Sequence, residues 1–151
     1  MPEYREKLWP SPWLFVIIAL VIPASLLVFL PISLLVGVLT AAGLYLGSAA
    51  LLVLASPTVL VSEGTLTAGR ASIETALLGE AVAFEGAEAT LERGQRLDAR
   101  AWLMLRGWVT PVVRIPLQDP ADPAPYWLVS SRHPQKMAAA INGSRRPTSR
   151  N

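Results

Sequence analysis

The sequence predicts an α+β membrane protein in which a two-helix transmembrane hairpin precedes a small β-rich domain. Three observations lead to this prediction. No charged residue lies between Lys7 and Glu63, and most of that stretch is Leu, Val, Ile, Ala and Phe. After residue 57 the apolar residues recur in short runs separated by Gly- and Pro-containing turns, which is typical of strands. Near the end of the chain, a proline followed by good helix formers predicts one further helix.

The apolar stretch is long enough for two membrane-spanning helices. About 20 apolar residues cross roughly 30 Å of hydrocarbon as a helix, so we place the spans at about 13–30 and 32–54, with the turn at Pro31. Together with the residues before them, the spans form a predicted first domain, 1–56. All 13 lysines and arginines lie outside the spans. Because basic residues near span ends favour the cytoplasmic side, we expect a multi-pass membrane protein with both termini cytoplasmic.

Two features inside the spans predict how they pack. Pro23 lacks an amide proton and should kink the first span. Thr40, Gly43, Gly47 and Ala50 place small residues at spacings of three and four on the second span, which is typical of close helix packing. This face fits either the first span of the same chain, which we favour, or a second copy in a homodimer. Neither span contains an ionisable Asp, Glu, Lys, Arg or His, so the usual marker of a transport path is missing.

The β-rich domain is predicted over 57–143, followed by a disordered basic tail over 144–151. Strands are expected at 58–62, 65–68, 71–78, 101–108, 111–117 and 126–131. The first two surround a Glu63-Gly64 turn, and a turn rich in Asp and Pro separates the last two. These short strands predict one small domain with its own core.

Two helical segments accompany the strands. The Ala- and Glu-rich stretch 83–97 is interpreted as a short helix or an irregular connection that Gly94 ends. The final helix begins at Pro134, carries one apolar face, and should stop at Asn142-Gly143. Several strands followed by one C-terminal amphipathic helix predict a small barrel or curved sheet closed by that helix. This is the layout of pleckstrin-homology-like (PH-like) domains.

The sequence contains no recognisable catalytic or metal-binding set. Cysteine is absent and His133 is the only histidine, which excludes disulfides, thiolate chemistry and clusters of histidine ligands. A nucleophile built from Ser130 or Ser131 with His133 would need an orienting carboxylate and an oxyanion hole, and the spacing indicates neither. Gly-rich phosphate loops are also absent. We therefore expect no enzyme, no cofactor and no metal.

Aromatic and basic residues concentrate in the second half of the chain. The candidate binding residues are Trp108, Arg114, Tyr126, Trp127 and Arg132. Packing in the core is the favoured alternative for most of the aromatics, whereas a basic and aromatic surface would suit anionic headgroups or an acidic partner. Residues 63–92 are mostly acidic and 93–151 mostly basic, which predicts a bipolar domain.

These patterns predict a non-catalytic binding or scaffolding module at the cytoplasmic face of the membrane. The expected partners are membrane lipid and, as further options, another membrane protein or a second copy of the chain. Nucleic acid is not expected, because the basic residues are scattered and the domain is tethered. The alternative is an accessory subunit or enzyme acting on a lipid or cell-envelope precursor, with Asp98, Asp119 or His133 in an interfacial pocket. A structural subunit that uses the Gly43–Gly47 face is a third option.

One long segment carries a family resemblance. The run WVTPVVRIPLQDPADPAPYWLVSSRHPQKMAAAI at 108–141, together with YRE at 4–6 before the apolar stretch, resembles the DUF3093 family of uncharacterised actinobacterial membrane proteins. Its most specific part is YWLVSSR at 126–132, and the SRHPQ that leads into the last helix is similar to the ending of bacterial PH-like domains. The resemblance implies an inner-membrane protein without an assigned activity, and it brings no catalytic residues with it.

Overall fold

The computed structural model describes residues 3–145, which fall into two units. One unit is helical and comprises Trp9–Ser56. The other contains the residues up to Leu8 and those from Pro57 onward, and it holds two four-stranded sheets. The protein is therefore α+β, as predicted. The predicted boundary at residue 57 needs one correction, because the residues that precede the apolar stretch belong to the two-sheet unit.

The first sheet is an antiparallel meander whose outer strand precedes the apolar stretch. Its strands, paired in this order, are β1 Tyr4–Lys7, β2 Thr58–Ser62, β3 Thr65–Ala68 and β4 Ala71–Glu74. Lys7 lies opposite Thr58, and the Leu8 amide extends the pairing by donating to the Pro57 carbonyl at 2.9 Å. The strands predicted at 58–62 and 65–68 are confirmed at both ends.

The turns define two ends of this first sheet. At one end Glu63 and Gly64 both have positive φ, 50° and 74°, as a tight hairpin turn requires. We call this the distal end. At the other end lie Leu8, Pro57 and the turn formed by Gly69 and Arg70, where Gly69 has φ 61°. We call this the junction end, because the chain leaves the unit and returns to it there.

The second sheet combines antiparallel and parallel pairing in the order β5-β7-β8-β6. Its strands are β5 Val82–Phe84, β6 Trp102–Met104, β7 Val112–Pro116 and β8 Tyr126–Ser130. β6 runs parallel to β8, whereas β5 and β8 are antiparallel to β7. The strands β6, β7 and β8 lie inside three predicted strands, and β5 was not predicted. Three residues are too few for an alternating pattern to reveal a strand.

Two helices pack on the sheets. Helix α4, Gly86–Arg93, ends at Gly94 as predicted and covers the outer face of the second sheet. Helix α5, Pro134–Ser144, begins at the predicted proline but continues past Asn142 and Gly143. The side-chain amide of Asn142 accepts from the Ala81 amide at 2.8 Å and donates to the Ala81 carbonyl at 3.0 Å. This tertiary contact holds Asn142 within the helix, so the predicted stop is wrong.

The main core lies between the two sheets and beneath α5. Its fully or almost fully buried members include Val59, Val61 and Leu66 of the first sheet, Val113, Ile115, Trp127 and Val129 of the second, and Met137 and Ile141 of α5. A smaller core forms on the other face of the second sheet, where Ala89 of α4 packs with Val112, Tyr126 and Leu128. Because both of its faces are covered, β8 is buried at every position.

The helical unit contains α1 Pro12–Ile18, α2 Val21–Phe29 and α3 Leu34–Leu54. The helix is interrupted between α1 and α2, one turn before Pro23, and the kink predicted there stays a prediction. A residue with an amide at position 23 would donate to the Ala19 carbonyl one turn earlier. Here the Ile22 amide donates to that carbonyl at 3.1 Å, a tighter turn. By length and composition, the helical stretches 12–29 and 34–54 could each cross a membrane.

Helices α2 and α3 pack through a different face from the one predicted. A Cβ added at Gly37 would lie 3.3 Å from Leu26 Cδ2, whereas nothing lies within 4 Å of one added at Gly43 or Gly47. Thr40 is half-buried and Ala50 exposed. Six residues along a helix turn the side chain by about 120° in net rotation, so these glycines point elsewhere. The favoured packing of this face against the first span is therefore wrong, and its use between two copies stays a prediction.

Candidate functional site

The five predicted binding residues do not form one surface. Trp127 lies on the inner face of β8, where its ring centroid is 4.4 Å from that of Trp102. Tyr126 lies on the opposite face, beneath α4. Their exposed fractions are 5% and 4%. These two aromatic side chains are core residues, and neither is available to a partner.

Arg114 belongs to an ion-pair group that fastens α4 to the second sheet. Its guanidinium Cζ lies 4.5 Å from the centre of the Tyr126 ring, and its Nη1 lies 3.5 Å from Oε2 of Glu92. Arg96 Nη1 approaches Glu92 Oε1, also at 3.5 Å. The Glu92 side chain is 2% exposed, and a buried carboxylate needs such compensation. We assign Arg114 to this structural group.

Trp108 and Arg132 lie nearer the chain junction. Trp108 is half-buried, and its indole N–H donates to the Leu8 carbonyl at 3.2 Å. Arg132 is exposed immediately before α5, and its backbone amide donates to Oε1 of Glu6 at 2.8 Å. Of the five predicted residues, the structure brings only these two to the junction end.

A polar cluster that the sequence did not predict joins β1 to the approach to α5. This Glu6 cluster consists of Tyr4, Glu6 and Ser131. Oε2 of the buried Glu6 carboxylate accepts from the Tyr4 hydroxyl at 2.5 Å and from the Ser131 hydroxyl at 2.6 Å. Ser131 Oγ also accepts from the His133 amide at 3.1 Å. The cluster therefore satisfies backbone amides just before the helix and ties the first strand to the last helix.

The electrostatics of the Glu6 cluster favour a neutral Tyr4. Burial raises the pKa of its phenol above the ordinary value, and the hydrogen bond to Glu6 raises it further. The carboxylate accepts protons in hydrogen bonds from both hydroxyls, so the proton of Ser131 points to Glu6. His133 Nδ1 faces the same carboxylate at 3.9 Å. This arrangement does not pair the serine hydroxyl with an imidazole base, as a nucleophilic serine would require.

The alternative enzyme site does not assemble. The Asp98 amide donates to the Tyr126 hydroxyl at the start of β8, whereas His133 follows the end of β8. The Asp98 carboxylate binds Arg100 at 2.9 Å, and this hydrogen bond lowers the pKa of Asp98. Asp119 Oδ1 accepts from the Ala121 amide within its own turn. The three residues are therefore separately engaged, and they do not converge on one pocket.

A cleft of about 510 Å³ lies at the distal end of the first sheet. It is lined by Glu63 and Glu74 and by Arg145, which follows α5. The Thr75 hydroxyl on its wall donates to the carbonyls of Gly64 and Ser144, at 3.0 and 3.2 Å. Within residues 3–145, no group of three or more His, Cys, Asp or Glu side chains is arranged to hold a metal ion. The Thr75 hydroxyl therefore ties the Glu63–Gly64 turn to the end of α5, and these contacts are structural.

The fold and these contacts define a class of protein, in which an apolar helical unit interrupts a two-sheet unit after its first strand. The chain belongs to DUF3093, a family described as a protein of unknown function, whose family model matches residues 3–141. That match includes β1 and most of α5, and it confirms the resemblance found in the sequence. No curated protein and no solved structure matches the chain.

Sequence reasoning missed Glu6 as a site residue, and it considered Ser131 only as a nucleophile. Both lie within segments on which the family resemblance rests, yet neither pattern shows that they meet. The available signal was the alternation of Tyr4, Glu6 and Leu8 on one side of a short strand. The alternation of these three side chains can be recognised as a strand pattern only once the pairing of β1 with β2 is known.

Proposed function

We propose that this protein is a membrane-anchored, non-catalytic binding module. In this proposal the helical unit is the anchor, and the two-sheet unit is a PH-like domain that binds a partner at the cytoplasmic face of the inner membrane. The layout of two sheets with a C-terminal helix supports the PH-like interpretation. Among residues 3–145, the buried carboxylates are those of Glu6 and Glu92. Each is engaged by donors or guanidinium groups, which supports a structural role for both.

The observation that carries the proposal is the exposure of the apolar side chains in the helical unit. Leu27 is 75% exposed, Ile32 76% and Leu54 81%. Burying such a side chain is worth about 1.5–3 kcal/mol in water, and soluble proteins rarely leave continuous apolar surfaces of this extent uncovered. In the hydrocarbon of a bilayer, exposed apolar side chains no longer carry the free-energy cost of contact with water. The absence of charge from Leu8 to Ser62 is also what a bilayer requires.

The β6 edge of the second sheet offers a place for a protein partner. Within residues 3–145, β6 pairs with β8 alone, and Leu103 at its centre is 43% exposed. An unpaired edge with an exposed apolar side chain can accept a strand from another protein. The partners we propose for this module are therefore membrane lipid and another membrane protein or a second copy of the chain.

Two measurements on the full-length chain test the proposal. Alkaline washing of native membranes should leave the protein in the pellet, and its release would overturn the anchor. A photo-crosslinking residue at Leu103 should give discrete adducts in intact cells, whereas the same residue at the exposed Ala99 should not. Equal labelling patterns at the two positions would refute a partner at the β6 edge.

A further inference from the structure

We propose that the junction end of the two-sheet unit binds anionic phospholipid headgroups through a basic rim, which we define as Lys7, Arg70, Arg106 and Arg132. This inference rests on the proposed function, because it requires the helical unit to lie in a bilayer. It adds the chemical class of the ligand and the side chains that bind it. These are mostly different residues from those predicted from the sequence.

The first sheet places two members of the rim beside the points where the chain leaves and returns. Lys7 precedes Leu8 and lies opposite Thr58. The turn with Arg70 lies at the same end, because the Gly69 amide donates to the Thr58 carbonyl at 2.9 Å. A Cβ added at Gly69 would be 3.6 Å from Pro57 Cβ. Lys7 and Arg70 are both exposed.

The second sheet and the approach to α5 supply the other two members. Arg106 is half-buried, and its Nη1 donates to the Leu105 carbonyl at 2.9 Å. Its turn is closed by the Val109 amide, which donates to the Arg106 carbonyl at 3.0 Å, and the indole of Trp108 in that turn donates to the Leu8 carbonyl at 3.2 Å. The exposed Arg132 donates its amide to Glu6, the neighbour of Lys7. The four basic residues therefore surround one end of the unit, with an amphipathic indole among them.

Acidic side chains of the first sheet lie mainly at its other end. Glu63 occupies the distal turn and Glu74 ends β4 there, with Arg145 as a basic neighbour. At the junction end Glu6 is buried and accepts three hydrogen bonds. Glu85, which follows β5, is the acidic residue that the second sheet brings towards this end. Among residues 3–145, the charge at the junction end is thus predominantly positive.

This charge arrangement fits the anionic surface of a bilayer. A basic side chain near such a surface strengthens association by about fivefold, provided that it lies within about 10 Å, the screening length at ordinary salt. Lys7 is separated by only one residue from Trp9, where the helical unit begins. Because the anchor already holds the protein in place, the rim has a different task. It sets the fraction of time that the two-sheet unit is in contact with the headgroups, which we call the seated state.

A single-label experiment on the full-length chain tests this inference. The sequence has no cysteine, so Ser72→Cys, exposed on β4 near the rim, gives one defined fluorophore. The protein is placed in nanodiscs of phosphatidylcholine with or without phosphatidylglycerol, and quenching by a headgroup-attached quencher reports seating. We expect stronger quenching with phosphatidylglycerol, reduced by added salt. Arg70→Gln should lower the ratio of seated to unseated protein about fivefold, and Lys7→Gln/Arg70→Gln/Arg106→Gln about a hundredfold.

The control removes the same charge elsewhere and is Arg93→Gln/Arg100→Gln/Arg145→Gln. Equal quenching in both lipids, or equal loss in the two triple variants, would overturn the inference. Arg70 lies in an exposed turn, so Arg70→Gln keeps the test valid if the rim triple variant unfolds. The protein could resist alkaline washing and give adducts at Leu103 while quenching is the same with and without phosphatidylglycerol. In that case only the lipid inference fails. Release from membranes would instead refute the anchor and with it the rim.

Discussion

Removing the Glu6 carboxylate should destabilise the two-sheet unit more than any exposed substitution. The carboxylate accepts from the Tyr4 hydroxyl, the Ser131 hydroxyl and the Arg132 amide, at 2.5, 2.6 and 2.8 Å. Hydrogen bonds to a charged group each contribute about 1.5–3 kcal/mol. In Glu6→Ala the two hydroxyls can still bond each other across 3.1 Å, so part of the loss is recovered. We expect a loss of about 3–5 kcal/mol.

Glu6→Gln separates the shape of the side chain from its charge. A glutamine amide can keep its oxygen towards the Arg132 amide and donate to the hydroxyl oxygens of Tyr4 and Ser131. All three contacts can then persist with neutral groups, and only the charge assistance is lost. We expect a loss of about 1–2 kcal/mol, since neutral hydrogen bonds are weaker than charge-assisted ones.

The assay is urea unfolding of the full-length chain in a nonionic detergent, followed by tryptophan fluorescence. The packed Trp102 and Trp127 rings report on the main core. The control is Glu3→Ala, which removes an exposed glutamate from the residue before β1. The interpretation of the Glu6 cluster is refuted if Glu6→Ala unfolds at the same urea concentration as Glu3→Ala, or if Glu6→Gln is as damaging as Glu6→Ala.

Two further perturbations probe the same unit. Because its pKa lies above the ordinary 10.0, Tyr4 stabilises the folded state fully below pH 10, and this contribution is lost as the pH rises further. The unfolding free energy of wild type should therefore fall more steeply above pH 10 than that of Tyr4→Phe, and parallel curves would contradict this. Gly79→Ala would place a Cβ 2.9 Å from Pro116 Cβ, which should cost about 1–3 kcal/mol. Gly107→Ala, with nothing within 4 Å, is its control in urea unfolding, and equal midpoints would refute the predicted clash.

Local sequence patterns predicted the elements that are stabilised by interactions between residues close together in the chain. The strands β2 and β3 are joined by the Glu63–Gly64 turn, where Gly64 readily adopts positive φ, and α5 begins at a proline suited to the first turn of a helix. β1 is different. It is short and mostly polar, and its partner β2 comes after the whole helical unit. Only non-local pairing makes it a strand, and no window of sequence contains that information.

The candidate site was harder to predict for two physical reasons. Tyr126 and Trp127 are neighbours on a strand covered on both faces, so alternation could not separate an exposed side chain from a buried one. Charge was also divided differently from the prediction, which opposed an acidic 63–92 to a basic 93–151. The structure groups charges by the ends of the first sheet, and Arg70 from the acidic segment joins Lys7 at the junction end.

The pairing of β1 with β2 limits how the chain can thread a membrane. Lys7 and Thr58 are partners in one sheet. The chain therefore enters and leaves the helical unit on the same side of any membrane that this unit crosses. Such an excursion crosses any barrier an even number of times, whatever its length. An odd number of crossings would require β1 to separate from the sheet and would break the contacts of Glu6. If the helical unit spans a membrane, Lys7 and Thr58 lie on the same side of it as long as the first sheet is intact. Charge changes that invert one of these positions must then invert both or unfold that sheet.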